Sequence, residues 1–269
     1  MKLVTIVLLA AAMLVSFGGR TPAEDLVEDF STLSTDVKSG SQELKKGIEQ
    51  ATAARVAWIL SGPGVELRFS KKVPEELRRQ FSADLGFIHG IEGSGASELH
   101  KGIFGRVEGA AYTDFFGSRV KEVSLHSCGS PYAVACVRRF YPNKMWLTPN
   151  YTKFDHPQIL RMVVAFHEAR HTERDKGNWP HASCPRPFQD EDGQDIRSIF
   201  TGASLAGRPA CDITPFGSYG SSMIMVKNIS EFCSNCTDKV MMDAGLYADD
   251  QLKRITDPEA KQAILDDLY

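Results

Sequence analysis

The sequence predicts an α+β fold, on three observations. Short runs rich in β-branched and aromatic residues, bounded by Gly, Pro and Asn, crowd residues 120–148. Segments on either side carry apolar residues at helical spacing. Composition is that of an ordinary globular chain: 269 residues, 42% hydrophobic, formal net charge −3. That is enough chain to bury a sizeable core in one domain. The near-neutral charge gives no electrostatic reason to expect nucleic acid or an anionic membrane as partner.

The N-terminus, MKLVTIVLLAAAMLVSFGG, has one early lysine, an apolar run from Leu3 to Val15, and small residues at Ser16 and Gly18. This is the layout of a secretory signal peptide over residues 1–19. The run is too short to span roughly 30 Å of hydrocarbon comfortably, and no basic stop-transfer segment follows. The sequence thus predicts export to a periplasm or the extracellular space, with no stable membrane span once the signal is removed. Residues 22–269 then form a single domain. Its first part, 22–60, reads as helix through Leu44, Ile48, Ala51, Val56 and Leu60. It is a prosegment, a lid or part of the fold. Ser61-Gly-Pro-Gly64 breaks it.

VELRF at 65–69 alternates like a strand, and Pro74 opens an amphipathic helix, EELRRQFSADLGFIHGI. Residues 91–98 read as loop. VKEVSLH (120–126), AVACVRRFY (133–141) and KMWLT (144–148) read as strands. Asp155 can then cap a helix with Pro157 in its first turn, running to about Lys176 and stopping at Gly177. Residues 178–217, rich in Gly, Pro and Asp, read as loop. Ser218 to Tyr269 reads as two or three helices with breaks near Asn235 and Pro258.

The six cysteines all lie in the second half of the chain. An even count in an exported protein points to disulfides, and neighbour pairing gives Cys128–Cys136, Cys184–Cys211 and Cys233–Cys236. A zinc site at Cys233 and Cys236 would need a second ligand pair at matching spacing, and the chain has no other C-x-x-C.

The chemistry concentrates in HEARH, residues 167–171. Residues four apart on a helix lie on one face, so His167 and His171 can aim ring nitrogens at one ion. Glu168 flanks that ion without having to bind it. From there it can take a proton from water and pass it to a leaving amine. Leu160, Val163 and Val164 share a face that seats the helix in a core.

With its preceding strand, this motif resembles the zincin superfamily of HExxH zinc-dependent metallopeptidases. The resemblance is specific only at the helix and covers about residues 120–220. It implies a zincin-like small mixed sheet with an active-site helix, flanked by N-terminal and C-terminal helices. It also implies Zn2+ held by His167 and His171, Glu168 as general base, and a peptide or protein substrate. The strand before the helix, Met145, Trp146, Leu147 and Thr148, would align an extended peptide.

A catalytic zinc has three protein ligands, and here the chain departs from known patterns. The metzincin motif requires Gly at 174 and His at 177, where this chain has Arg174 and Gly177. After the helix stop at Gly177, Asn-Trp-Pro can return the chain to His181. The rival is Asp212, in CDITPFGSYG, which is loosely similar to the aspzincin ligand element. A gluzincin-like ligand would be Glu231, with nothing around it in support. His181 is preferred, histidine being a common zinc ligand. A Cys184–Cys211 disulfide would tie His181 and Asp212 into one wall.

Tyr219 is a candidate to donate a hydrogen bond to the oxyanion of a tetrahedral intermediate, with His126 as a lesser one. Arg170, on another helix face, suits an ion pair with a nearby carboxylate. DEDGQD at 190–195 lacks the order of a calcium loop and reads as a solvated turn. The sequence supports an exported zinc metallopeptidase. Two alternatives stand beside it: a zinc amidase on cell-envelope (peptidoglycan) peptides, and a non-catalytic, disulfide-braced binding protein.

Overall fold

One helix beside a small sheet has a surface buried on nearly every side. The computed structural model describes residues 65–152 and 156–269, all within one compact unit. The leader at 1–19, the helical segment 22–60, the break at 61–64 and Asp155 lie outside the described residues. In order, the chain forms β1 (Arg68–Phe69), α1 (Glu75–His89), α2 (Glu98–Phe104), α3 (Gly109–Arg119), β2 (Glu122–Leu125), β3 (Ala135–Arg138) and β4 (Tyr141–Leu147). There follow α4 (Pro149–Thr152), α5 (Gln158–Arg170), a 3-10 turn (Arg174–Lys176), β5 (Ala182–Ser183), β6 (Pro209–Cys211), α6 (Ser218–Phe232), α7 (Asp238–Leu252) and α8 (Pro258–Leu268). The mixed α+β class follows from this order, with the HEARH helix, α5, at its centre. No helix among the described residues is long and apolar enough to cross a membrane.

The main sheet has the order β1-β2-β4-β3, parallel except for the antiparallel pair β4–β3. This order corrects one expectation. Met145, Trp146 and Leu147 pair with Val123, Ser124 and Leu125 on one side and with Val137, Cys136 and Ala135 on the other. Thr148 likewise donates its N–H to Val134. A strand hydrogen-bonded along both edges cannot accept an added peptide, so Met145–Thr148 does not align substrate. The edge strands are β1 and β3, and β3 is the one beside β4.

The central helix differs from the one-faced seat that Leu160, Val163 and Val164 suggested. Ile159, Leu160 and every residue from Met162 to Arg170 are buried. Phe166 illustrates the packing, its ring lying 5.8–6.2 Å from those of Phe104, Tyr112, Phe115 and Phe116. A helix packed all round is fixed in rotation, which fixes where its histidines point.

The helix also ends earlier than Lys176. Thr172 Oγ1 donates to Ala169 O (2.8 Å) and Asn178 Nδ2 to His171 O (2.8 Å), so side chains satisfy its last carbonyls. The left-handed residue expected at Gly177 (φ 65°) instead closes the separate 3-10 turn. Two helices, α2 and α3, escaped the periodicity reading. GAAYTDFFGSR has two glycines and several aromatic residues, so packing rather than propensity makes it helical. Gly109 is obligatory there, because a Cβ would lie 1.9 Å from His89 O. The C-terminal region resolves into three helices. Thr237 and Asp257 side chains cap the second and third, with Pro258 opening the last.

Beside Phe104, His100 is fully buried and its Nε2 lies 2.8 Å from Tyr112 Oη. Burial pushes its pKa down from 6.5 to about 4. The unfolded chain therefore binds this proton below pH 6.5 while the folded chain does not. The stabilising contribution is complete above 6.5 and is lost as pH falls towards 4. We expect a loss of about 2–3 kcal/mol between pH 7 and 4.5, on linkage grounds. Urea unfolding at the two pH values should show this drop shrinking in His100→Asn; an undiminished drop would count against it.

Candidate metal centre

Three imidazoles meet at the C-terminal end of α5. His167 Nε2 and His171 Nε2 are 3.2 Å apart, His171 and His181 Nε2 3.0 Å, and His181 and His167 Nε2 3.2 Å. Helical spacing supplies the first two nitrogens. The third arrives by a reversal of the chain in which Gly177, Asn178 and Trp179 all take positive φ (65°, 63° and 45°). That conformation costs little for Gly and Asn but is strained for Trp. Trp179 is held in it by its Nε1 donating to Glu173 Oε2 (2.9 Å), with Arg170 4.9 Å over the ring. Glu173 Oε1 in turn accepts from Arg119 (2.7 Å) and Arg170 (2.6 Å), so Arg170 has the carboxylate partner its position implied.

The hydrogen bonds behind each ring decide what the three nitrogens can do. His171 Nδ1 donates to Asn178 O (2.8 Å), and His181 Nδ1 donates to Asp212 Oδ1 (2.9 Å). His167 is engaged by the backbone of Ser218. Burial, reinforced by its two histidine neighbours, holds His167 well below its ordinary pKa, and burial pushes His171 down to about 4. The His167 and His171 rings are therefore neutral, and the three Nε2 atoms are directed at one another. Such a cluster repels itself unless a cation takes its centre. A tetrahedral ion bound at 2.0–2.1 Å spaces its nitrogens by about 3.3 Å, close to the separations here. The residues fit a metal ion.

Asp212, the alternative third ligand, stands behind His181 instead of beside it. Its Oδ2 accepts from the N–H groups of Tyr219 (2.7 Å) and Gly220 (3.3 Å), so one carboxylate joins His181 to the start of α6. Gly217 makes this possible, since a Cβ there would lie 2.3 Å from Oδ2. The Cys184–Cys211 disulfide and the β5–β6 ladder, Ala182 opposite Cys211, hold the two residues together. A carboxylate behind a metal-ligating histidine fixes its tautomer and strengthens it as a ligand, and losing one typically costs 10- to 100-fold in metal affinity. Asp212→Asn is expected to weaken metal binding by roughly that factor in a chelator competition. Unchanged affinity would contradict this role.

Glu168 is buried and lines the same cavity, of about 420 Å³. Burial pushes its carboxyl up to about 8, against a hydrogen bond from the backbone of Val137 on β3. The Tyr219 ring packs 4.4 Å from His167 and 4.6 Å from His181, centroid to centroid. Burial raises the Tyr219 pKa, keeping the hydroxyl protonated and able to donate. The cavity is also bounded by Ala135, Cys136 and Val137 of the edge strand.

Other candidates lie elsewhere. His126 is exposed, carries Arg138 Nη2 2.8 Å from its Nδ1, and does not line the cavity. Glu231 pairs with Lys227 at 3.2 Å on α6. In DEDGQD, the Asp190 carboxylate accepts from the N–H groups of Asp192 and Gln194, as a solvated turn does. The structure joins Cys128 to Cys136, Cys184 to Cys211 and Cys233 to Cys236, with Cα separations of 6.0, 5.1 and 5.6 Å. Sequence reasoning missed Arg254, whose guanidinium lies 4.5 Å over the Tyr219 ring. Nothing in the local sequence signals it, because α7 brings it to the site from beyond residue 250.

No family model, curated protein or solved structure matches this chain. Identification rests on the geometry: His167-Glu168-x-x-His171 completed by His181 matches a zincin-like HExxH metal site, in a disulfide-braced fold of a metal-dependent hydrolase or binding type.

Proposed function

We propose that this chain is an exported zinc metallopeptidase. The observation that carries the reading is the convergence of three imidazoles with Glu168, in a cavity bounded by the edge strand β3. Three histidines with a fourth position open is a donor set of catalytic zinc. Zinc held by His167, His171 and His181 supplies Lewis acidity, polarising a substrate carbonyl and lowering the pKa of water to about 7.

The chain's own groups perform the remaining tasks. The β3 edge, Ala135–Arg138, takes the backbone of an extended peptide as an added strand and presents one amide to the cavity. Glu168 receives the proton of the attacking water and delivers it to the departing amine nitrogen. Tyr219 donates its hydroxyl proton as a hydrogen bond to the oxygen on which negative charge develops. Packing around α5 restricts bulk water, which strengthens these interactions.

The leader-like N-terminus and three disulfides among the described residues support export, since disulfides persist in oxidising compartments. Residues 22–269 serve as one catalytic domain in this reading. The test is metal analysis together with cleavage of a peptide library, with purified cell wall as a separate substrate. Peptide cleavage that requires stoichiometric zinc supports the reading. Release of wall fragments with peptides untouched would replace it with an envelope amidase, and a metal-free protein without cleavage would refute it.

A further inference from the structure

Arg254 lines the cavity and has no task in the proposed mechanism. It is 3% exposed, and its Nε and Nη2 are buried with no hydrogen-bond partner among the described residues. None of the ion pairs among those residues includes it; Asp250 influences it electrostatically without reaching it. The guanidinium lies 4.5 Å over the Tyr219 ring and hydrogen-bonds its hydroxyl, leaving Nε and Nη2 without a partner, and the same ring packs on His167 and His181. One tyrosine ring therefore separates a buried cation from the metal centre.

Another arginine of this protein reveals what such a fork accepts. Arg161 grips the buried Asp84 carboxylate with the same two atoms, Nε to Oδ2 and Nη2 to Oδ1, both at 2.6 Å. Those two N–H groups lie parallel on one edge of the guanidinium and match the two oxygens of a carboxylate. A buried arginine without a counter-charge is costly, and unsatisfied buried donors in a cavity wall mark a place for a ligand. The Arg254 backbone is fixed for this purpose, its N–H bonded to Gln251 O and its carbonyl to Asp212 N–H.

We propose that Arg254 binds a carboxylate of the substrate about one residue from the amide to be cleaved. The preferred substrates are then peptides that end in a free carboxylate there, or that carry Asp or Glu beside the scissile bond. The inference rests on the peptidase reading for its substrate class, but its test needs no turnover.

The experiment measures binding calorimetrically to zinc-loaded Glu168→Gln protein, alone and combined with Arg254→Gln or Arg254→Lys. The probes are two matched pairs: acetyl-trialanine as free acid and as C-terminal amide, and acetyl-Ala-Asp-Ala-amide against its Asn counterpart. One carboxylate probe should bind about 10- to 100-fold more tightly than its neutral partner, as a charge-assisted bidentate contact gives. The acid–amide pair would identify a chain terminus and the Asp–Asn pair a side chain. In Arg254→Gln that ratio should fall to about one with the neutral probe unaffected, and Arg254→Lys should keep part of it. Equal binding within both pairs in the Arg254-containing protein overturns the proposal whether or not the variants fold. So does a preference that survives Arg254→Gln, or a loss shared equally by charged and neutral probes. Absence of zinc-dependent peptide cleavage by the wild type would instead refute the peptidase reading and leave these ratios standing.

Discussion

Glu168→Gln is expected to abolish turnover, lowering kcat by about 10²–10⁴ as removal of a general base does, while the bound metal stays at wild-type stoichiometry. Glu168 is not among the three converging nitrogens, so the ion keeps its protein ligands. Glutamine fills the same buried volume and can still accept from the backbone of Val137. What it cannot do is take a proton. The measurement pairs single-turnover peptide cleavage with metal analysis on the same sample. Activity within a few-fold of wild type would remove Glu168 from the mechanism.

The second large effect lies at His181. His181→Ala should weaken zinc binding by more than about 100-fold, beyond what loss of the supporting Asp212 carboxylate gives. Two effects combine in that loss. One of the three nitrogens disappears, and Asp212 loses its histidine partner while retaining the N–H groups of Tyr219 and Gly220. The fold should persist, because the Cys184–Cys211 disulfide and the β5–β6 ladder hold this wall without the imidazole. Chelator competition on wild type, Asp212→Asn and His181→Ala should therefore give a graded series. Wild-type affinity in His181→Ala would displace it from the site.

How much of this was legible in the sequence follows from how local each feature is. HEARH is local: four-residue spacing on a helix needs no knowledge of the rest of the fold. His181 was nearly local, because Gly177 announced the turn that brings it back. Asp212 was legible as a neighbour of the site but not as a support for His181. Its role depends on a disulfide closing 27 residues and on the start of α6. Strand order was not legible at all. β3 and β4 have similar local patterns, and only the β2–β4 pairing shows that β4 is interior. The helix end was misread because its stop comes from the Thr172 and Asn178 side chains, before the glycine. Arg254 was hidden for the same non-local reason. It enters the site from the end of α7, with most of the chain's second half intervening.

The central claim is that His167, His171 and His181 together hold one catalytic metal ion. X-ray absorption at the zinc edge of the purified protein tests it most directly. One ion per chain is expected, with three imidazole nitrogens at about 2.0–2.1 Å, falling to two in His181→Ala. A spectrum with two imidazoles in the wild type, unchanged by His181→Ala, would contradict it.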